Sequence, residues 1–336
     1  MNLNKNKIAG FLPVLAALSG NFIITCLKFI GFFISGSGAL FSEAIHSLAD
    51  IANQALLMTG IARSGKKADS EFSYGYGHER FFWAIISACC IFFLGAGVTI
   101  SHGVQALMKH QSINISPIIF IILFVSLIID SFTFLLAAKE LLKTNRGIKL
   151  REIFKNGDPA TIAVLYEDGV AVVGVLVAFL SIALTVLTGR TYWDAIGSII
   201  IGLLMAFMAL GLIKKNRPYL IGRTMPQELK NKVIEMLEAE PTIEKVIDFK
   251  SFALDVNVYR IKCEVEFNSS VLLHDIYRNG FKEIYNDVKD DYDEFLKFCV
   301  EHTDRVPRII GKIIDNIEKK IKNEIPSIRH IDIEIN

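Results

Sequence analysis

The chain has 336 residues, 52% of them hydrophobic, and a formal net charge of +1. Its positive mean hydropathy excludes one ordinary soluble domain, while a charged share of 21% excludes burial in lipid throughout, so the charges must be segregated. The near-neutral balance gives no reason to expect a nucleic-acid partner.

The segregation is visible along the chain. Up to about Lys214 long apolar runs alternate with short polar breaks, and from about Arg223 the sequence is mixed and water-soluble. This predicts a membrane domain over residues 1–222 and a soluble domain over 223–336. The five cysteines, Cys26, Cys89, Cys90, Cys263 and Cys299, form no CxxC pair, so neither a disulfide framework nor a zinc ribbon is expected.

A helix crosses a bilayer of about 30 Å with about 20 predominantly apolar residues. Six segments qualify, approximately Ile8–Ile34, Gly38–Ala62, Phe81–Met108, Ser116–Ala138, Ala160–Thr188 and Trp193–Ile213. The first is too long for a signal-peptide core and is read as a retained span. The SGSG break at Ser35–Gly38 predicts a tight turn. Lys5 and Lys7 precede span one, and Arg63, Lys66, Lys67 and Arg80 separate spans two and three. Lys139, Lys143, Arg146, Lys149, Arg151 and Lys155 separate four and five, and Lys214, Lys215, Arg217 and Arg223 follow six. The opposite side carries only Lys109 and Arg190. Both termini are therefore expected in the cytoplasm.

Ionisable residues inside a span cost about 2.5–3.5 kcal/mol each at the helix centre on insertion scales, so they ask for a function. Span two reads ALFSEAIHSLADIANQALLMTG, in which Glu43, His46, Asp50 and Asn53 recur at steps of three, four and three and share one helical face. Imidazole nitrogen and carboxylate oxygen are ordinary ligands of zinc and its first-row neighbours, and an i, i+4 pair grips one ion from two directions. Two further ligands are needed. Span five offers Glu167 and Asp168 inside an otherwise apolar helix.

Depth brings these residues together. At about 1.5 Å per residue, Asp50, about 12 residues from the outer end of its span, lies roughly 18 Å below the outer surface. Asp168, about 8 residues from the inner end of its own span, lies roughly 12 Å above the inner surface, which is nearly the same level in a core of about 30 Å. Asp130 in span four and Lys28 in span one read either as a proton relay or as a buried ion pair.

The soluble part begins with a helix, QELKNKVIEMLEAE, and continues through strands KVIDFKSFALDV and YRIKCEVEF. A longer charged segment, a helix RVPRIIGKIIDNIEKKIKN and a period-two strand IRHIDIEI follow. The order α-β-β-α-β makes a small α+β sandwich, with about 35 residues inserted around 268–302. His274, His302, His330 and Asp332, with Asp275 and Asp304, form a candidate cytoplasmic metal cluster, although each also reads as a solvated surface residue.

At these residues the sequence resembles the cation diffusion facilitator family of divalent-metal transporters, over nearly the whole chain. SGSGALFSEAIHSLADIANQALL looks like the family's second-span signature, with His46 and Asp50 at its HxxxD ligand positions. YGYGHER resembles the YGHGRxE loop, and YWDAIGSIIIGLL the start of the sixth span. Together FSEAIHSLAD, VLYEDGVAVVGV and LIGRTMPQE look most like the zinc-transporter-nine-like branch. The resemblance implies a homodimer, formed through the cytoplasmic domain, in which each protomer has six spans and a ferredoxin-like tail. It implies exchange of a divalent metal ion, zinc foremost, for H+, and no prosthetic group.

By the same resemblance His46 and Asp50 are metal ligands, and Asp168 matches the second ligand of the fifth-span pair. The first ligand of that pair does not carry over, because its position is Val164. Glu167, Asn53, Glu43 or water would then complete the shell. Glu167 points about 100° from Asp168 on an ideal helix and joins only if the helix is rotated or distorted. A more oxygen-rich site weakens zinc preference relative to manganese, iron or cobalt, and His46 argues the other way. The family's loop histidines are replaced by Phe72 and Tyr76. Asp69 and His78 are too few for a closed site there, so the SYGYGHE segment is expected to shape a cytoplasmic turn. A metal-binding sensor or scaffold without transport is a rival reading. An intramembrane metalloenzyme is another, but no HExxH or GxSxG motif accompanies the site. A bacterial inner membrane is the expected location.

Overall fold

The computed structural model describes residues 21–109, 116–144, 159–277 and 280–336. The start of the first expected span and the basic connection around Lys149 lie outside them. Two compact units result, Met1–Leu220 and Ile221–Asn336.

The first unit opens with α1 (Asn21–Ser35), an apolar helix that ends where Gly36 takes a φ of 70°. That angle strains any residue with a Cβ, which explains the glycine in the expected turn. Helix α2 (Gly38–Ser64) starts immediately afterwards, with the Ser37 hydroxyl accepting from the amide of Leu40. There follow α3 (Glu79–Cys90), a π-helical turn (Ile91–Ala96) and α4 (Gly97–Lys109), continuous as one helix. Helices α5 (Pro117–Thr144), α6 (Pro159–Thr188) and α7 (Tyr192–Ile221) complete the unit.

Four helical stretches are long and apolar enough to cross a membrane: Glu79–Met108, Pro117–Lys143, Val164–Thr188 and Tyr192–Ile221. The described part of α1 is shorter, and α2 carries its polar face in mid-helix. Phe33, Leu187 and Phe207 remain 78–81% exposed, which is an apolar surface made for lipid rather than water. Inside, small residues such as Ala39, Ala88 and Ala178 let helices approach closely around Leu40, Ile182 and Met205. Helix α7 runs eight residues past the expected end of span six. Asn216 donates to the carbonyl of Leu212, and the Tyr219 ring stacks on Phe81 at 4.3 Å, so the basic KKNR stretch continues the helix instead of breaking it.

The second unit contains α8 (Gln227–Glu238), β1 (Ile243–Asp255), β2 (Val258–Phe267), α9 (Ser269–Tyr277), α10 (Phe281–Val288), α11 (Tyr292–Glu324) and β3 (Ile328–Ile335). Strands β1 and β2 form an antiparallel hairpin turned at Asn257, whose φ is 55°, and β3 joins β2 in parallel. Alternate residues of β2, Tyr259, Ile261, Cys263 and Val265, are buried with Val233 and Leu237 of α8 and Ile317 and Ile321 of α11. Helix α11 begins well before the expected segment RVPRIIGKIIDNIEKKIKN. Asp291 caps it by accepting from the amides of Asp293 and Glu294, so the charged insertion resolves into α9, α10 and the first turns of α11.

Candidate metal centre

Helix α2 packs against α3 and α6, and α5 packs against α6. This arrangement turns the polar face of α2 inward. Glu43 and His46 are fully buried, Asn53 is 2% exposed and the Asp50 side chain 14%. His46 Nδ1 stands 3.5 Å from Asp50 Oδ1, beyond a good hydrogen bond. Neither of these atoms nor His46 Nε2 has a hydrogen-bond partner, and Glu167 Oε1 also has none.

Across from them, Asn53 donates its amide to Glu167 Oε2 and accepts from the Ser87 hydroxyl of α3. Glu167 is 4% exposed and its carboxyl lies within hydrogen-bond reach of the Asp50 carboxyl, so a proton on either acid can be shared between them. Asp168 is half-buried and within electrostatic range of Asp130. Val164, which shares the Asp168 face one turn earlier, is 40% exposed. Helix α6 is therefore rotated so that Glu167 meets the α2 face. Ser87 and the orientation of Glu167 were not legible in the sequence, because a lone serine in an apolar helix carries no periodic signal.

Next to this pocket lies a second polar group. Lys28, 1% exposed, donates to Glu43 Oε2 at 3.0 Å and to the Ser47 hydroxyl at 2.9 Å, and its Nζ is 3.7 Å from Asp130 Oδ2. Of the two readings open for Lys28 and Asp130, the geometry is that of an ion pair, and it includes Glu43. At the far end of α2, Asp194 of α7 accepts from the Ser37 hydroxyl and from the amides of Gly38 and Ala39. Sequence reasoning passed over Asp194, since an acid at the start of a span looks like an ordinary membrane-edge residue.

Among the described residues no three His, Cys, Asp or Glu side chains stand close enough to hold a metal ion as they are. In the tail, His274 is exposed, the His302 ring lies against Phe298, and Asp332 is paired with Arg260 at 2.6 Å. His330 faces Arg260 in the sheet register, and partial burial, then Arg329, Lys322 and Arg260, hold its imidazole below its usual range. The tail candidates thus do not converge. The loop between α2 and α3 is a turn closed by Asp69, which accepts from the amides of Glu71 and Phe72 and from the Tyr76 hydroxyl.

Apolar helices long enough to cross a membrane, packed around a buried imidazole–carboxylate face and followed by a small sheet unit, are the architecture of a helical membrane protein. Residues 14–221 match the cation efflux transmembrane domain, and the chain belongs to that family of metal-ion transporters. It is similar to metal tolerance protein C4 of Arabidopsis thaliana, 34% identical over 96% of this chain and 72% of that one. It is also 32% identical to the proton-coupled zinc antiporter SLC30A9, mitochondrial, of Homo sapiens, over 96% of this chain and 58% of the human protein's length. An uncharacterised transporter of Methanocaldococcus jannaschii is 24% identical over 79% of this chain.

Proposed function

We propose that the chain exports a divalent metal, zinc foremost, in exchange for protons by alternating access, with the ion held by His46 and Asp50 of α2 and the Glu167–Asp168 pair of α6. The observation that carries this reading is the set of buried, partnerless atoms, both His46 nitrogens, Asp50 Oδ1 and Glu167 Oε1, on two facing helices. Each such group costs about 1–3 kcal/mol when left unsatisfied, and a metal ion or protons satisfy all of them. Metal and proton compete for the same lone pairs, so loading one releases the other. Rocking of the helices then exposes the site to the opposite side.

In this reading α1 and α2 are spans as well, giving six, and both termini face the cytoplasm, in agreement with the loop charges. A bacterial inner membrane is the simplest setting. The sheet unit is a ferredoxin-like domain through which two copies pair. The zinc and proton assignments draw on the similarity to the human proton-coupled zinc antiporter and on the imidazole ligand. The test is purified protein in liposomes enclosing a pH dye, challenged with zinc, manganese, iron and cobalt. Zinc uptake accompanied by proton counterflow is expected, with at least a tenfold loss in His46→Ala and Asp50→Ala. Full transport by either variant would sink the assignment, and metal binding without flux would favour a sensor. Asp168→Ala and Glu167→Ala, run in parallel, decide which acid of α6 completes the shell.

A further inference from the structure

We propose that Lys28 is a built-in cation that keeps Glu43 and Asp130 out of the metal's coordination shell and so confines the transported ion to the His46, Asp50 and Glu167 end of the cluster. The inference rests on the metal-centre reading above and assigns a specificity-determining role within it.

The geometry makes the case. An ammonium has three donors, and the three polar neighbours of Lys28 Nζ are Glu43 Oε2 at 3.0 Å, Ser47 Oγ at 2.9 Å and Asp130 Oδ2 at 3.7 Å. They come from α2 and α5, so Lys28 bridges both helices from α1. Glu43 is held from two sides. Its Oε2 is on Lys28, while its Oε1, buried without a hydrogen-bond partner, faces α6 at Gly174, where an added Cβ would stand 2.5 Å away. The charge of a glutamate at a ligand spacing on the α2 face is thereby already balanced by the lysine.

Electrostatics works in the same direction. The ammonium is 1% exposed, so a metal binding Glu43 or Asp130 would leave a buried cation without its counter-charge. A divalent ion is also repelled by the fixed positive charge, most strongly at Glu43 and Asp130, which stand 3.0 and 3.7 Å from the ammonium. Glu43 and Asp130 with Lys28 removed would be an oxygen-only site, which suits hard cations such as manganese better than zinc. The lysine thus excludes a competing site of the wrong chemistry. A purely structural ion pair would predict only lower stability on its removal.

The experiment counts metal ions bound per chain by equilibrium dialysis of the full-length protein in lipid nanodiscs, with zinc and with manganese. Lys28→Met and Lys28→Gln are expected to bind one more ion than the wild type, with manganese held at least tenfold more tightly than in the wild type. The additional ion is lost when Glu43→Gln is added, and Lys28→Arg keeps the wild-type count. Lys28→Gln retains neutral donors for Glu43 and Ser47, and so reports even if Lys28→Met does not fold. A folded Lys28→Gln with wild-type count and selectivity overturns the proposal. If the wild type and His46→Ala bind equal numbers of zinc ions, the metal centre itself is wrong, which is a separate result.

Discussion

Both ring nitrogens of His46 are enclosed without a hydrogen-bond partner, an arrangement that works against the fold. Replacing both needs at once by an apolar side chain should relieve it. His46→Leu is therefore expected to unfold at a higher temperature than the wild type, by the equivalent of about 1–3 kcal/mol, while losing zinc flux. A thermal melt paired with a liposome assay checks both halves. The loop residue Asp69 shows the opposite balance. The amide of Phe72, then the Tyr76 hydroxyl, hold its carboxyl below the usual carboxylate range, and the Tyr76 phenol is pushed up to about 12 by the same contact. For Asp69 the contribution to the turn is complete above its ordinary range and is lost as pH falls through the depressed value. For Tyr76 it is complete below 10.0 and lost as pH rises through about 12. A difference titration of tyrosine absorbance between wild type and Asp69→Asn should show one phenol ionising near 12 in the wild type alone.

Helix α2 was the most legible element, because its polar residues recur with the period of a helix and its turn carries glycine where φ is positive. Strand β3 was equally legible, since IRHIDIEI alternates with the period of a strand and covers Ile328–Ile335 as read. Helix α6 was legible only in part. Spacing fixes the angle between Glu167 and Asp168, but the rotation of the helix about its own axis is set by its neighbours, and no local pattern encodes it. The π turn at Ile91–Ala96 escaped for a similar reason, as an apolar run has no phase to interrupt. Close approach of α6 to α2 also depends on Gly174, against which Glu43 is packed. Gly174→Ala is expected to destabilise the protein by about 1–3 kcal/mol through overpacking and to lower flux, measurable as a reduced melting temperature and a slower zinc signal.

At the level of the whole molecule, the chain couples a helical unit with lipid-facing apolar flanks to a unit built like a small soluble protein. The tail has its own core, so Ile321→Ala should cost about 2–5 kcal/mol there, seen as a lower-temperature unfolding step, with His46-dependent zinc binding retained. Within the helical unit, the clasp of Asp194 on the start of α2 sets an order of events during biosynthesis. Its two ends are 157 residues apart, so at about 5–20 residues per second the ribosome needs roughly 8 to 30 s after Ser37 before the clasp exists. The helix with the most polar face waits unclasped for all of that interval, attended only by whatever the insertion machinery provides. Arrested chains ending before Tyr192 should therefore leave α2 accessible to a water-soluble thiol reagent at an engineered cysteine, and chains extended through Ile221 should protect it. The last apolar helix to be made would thus be the one that fastens the second-made in place.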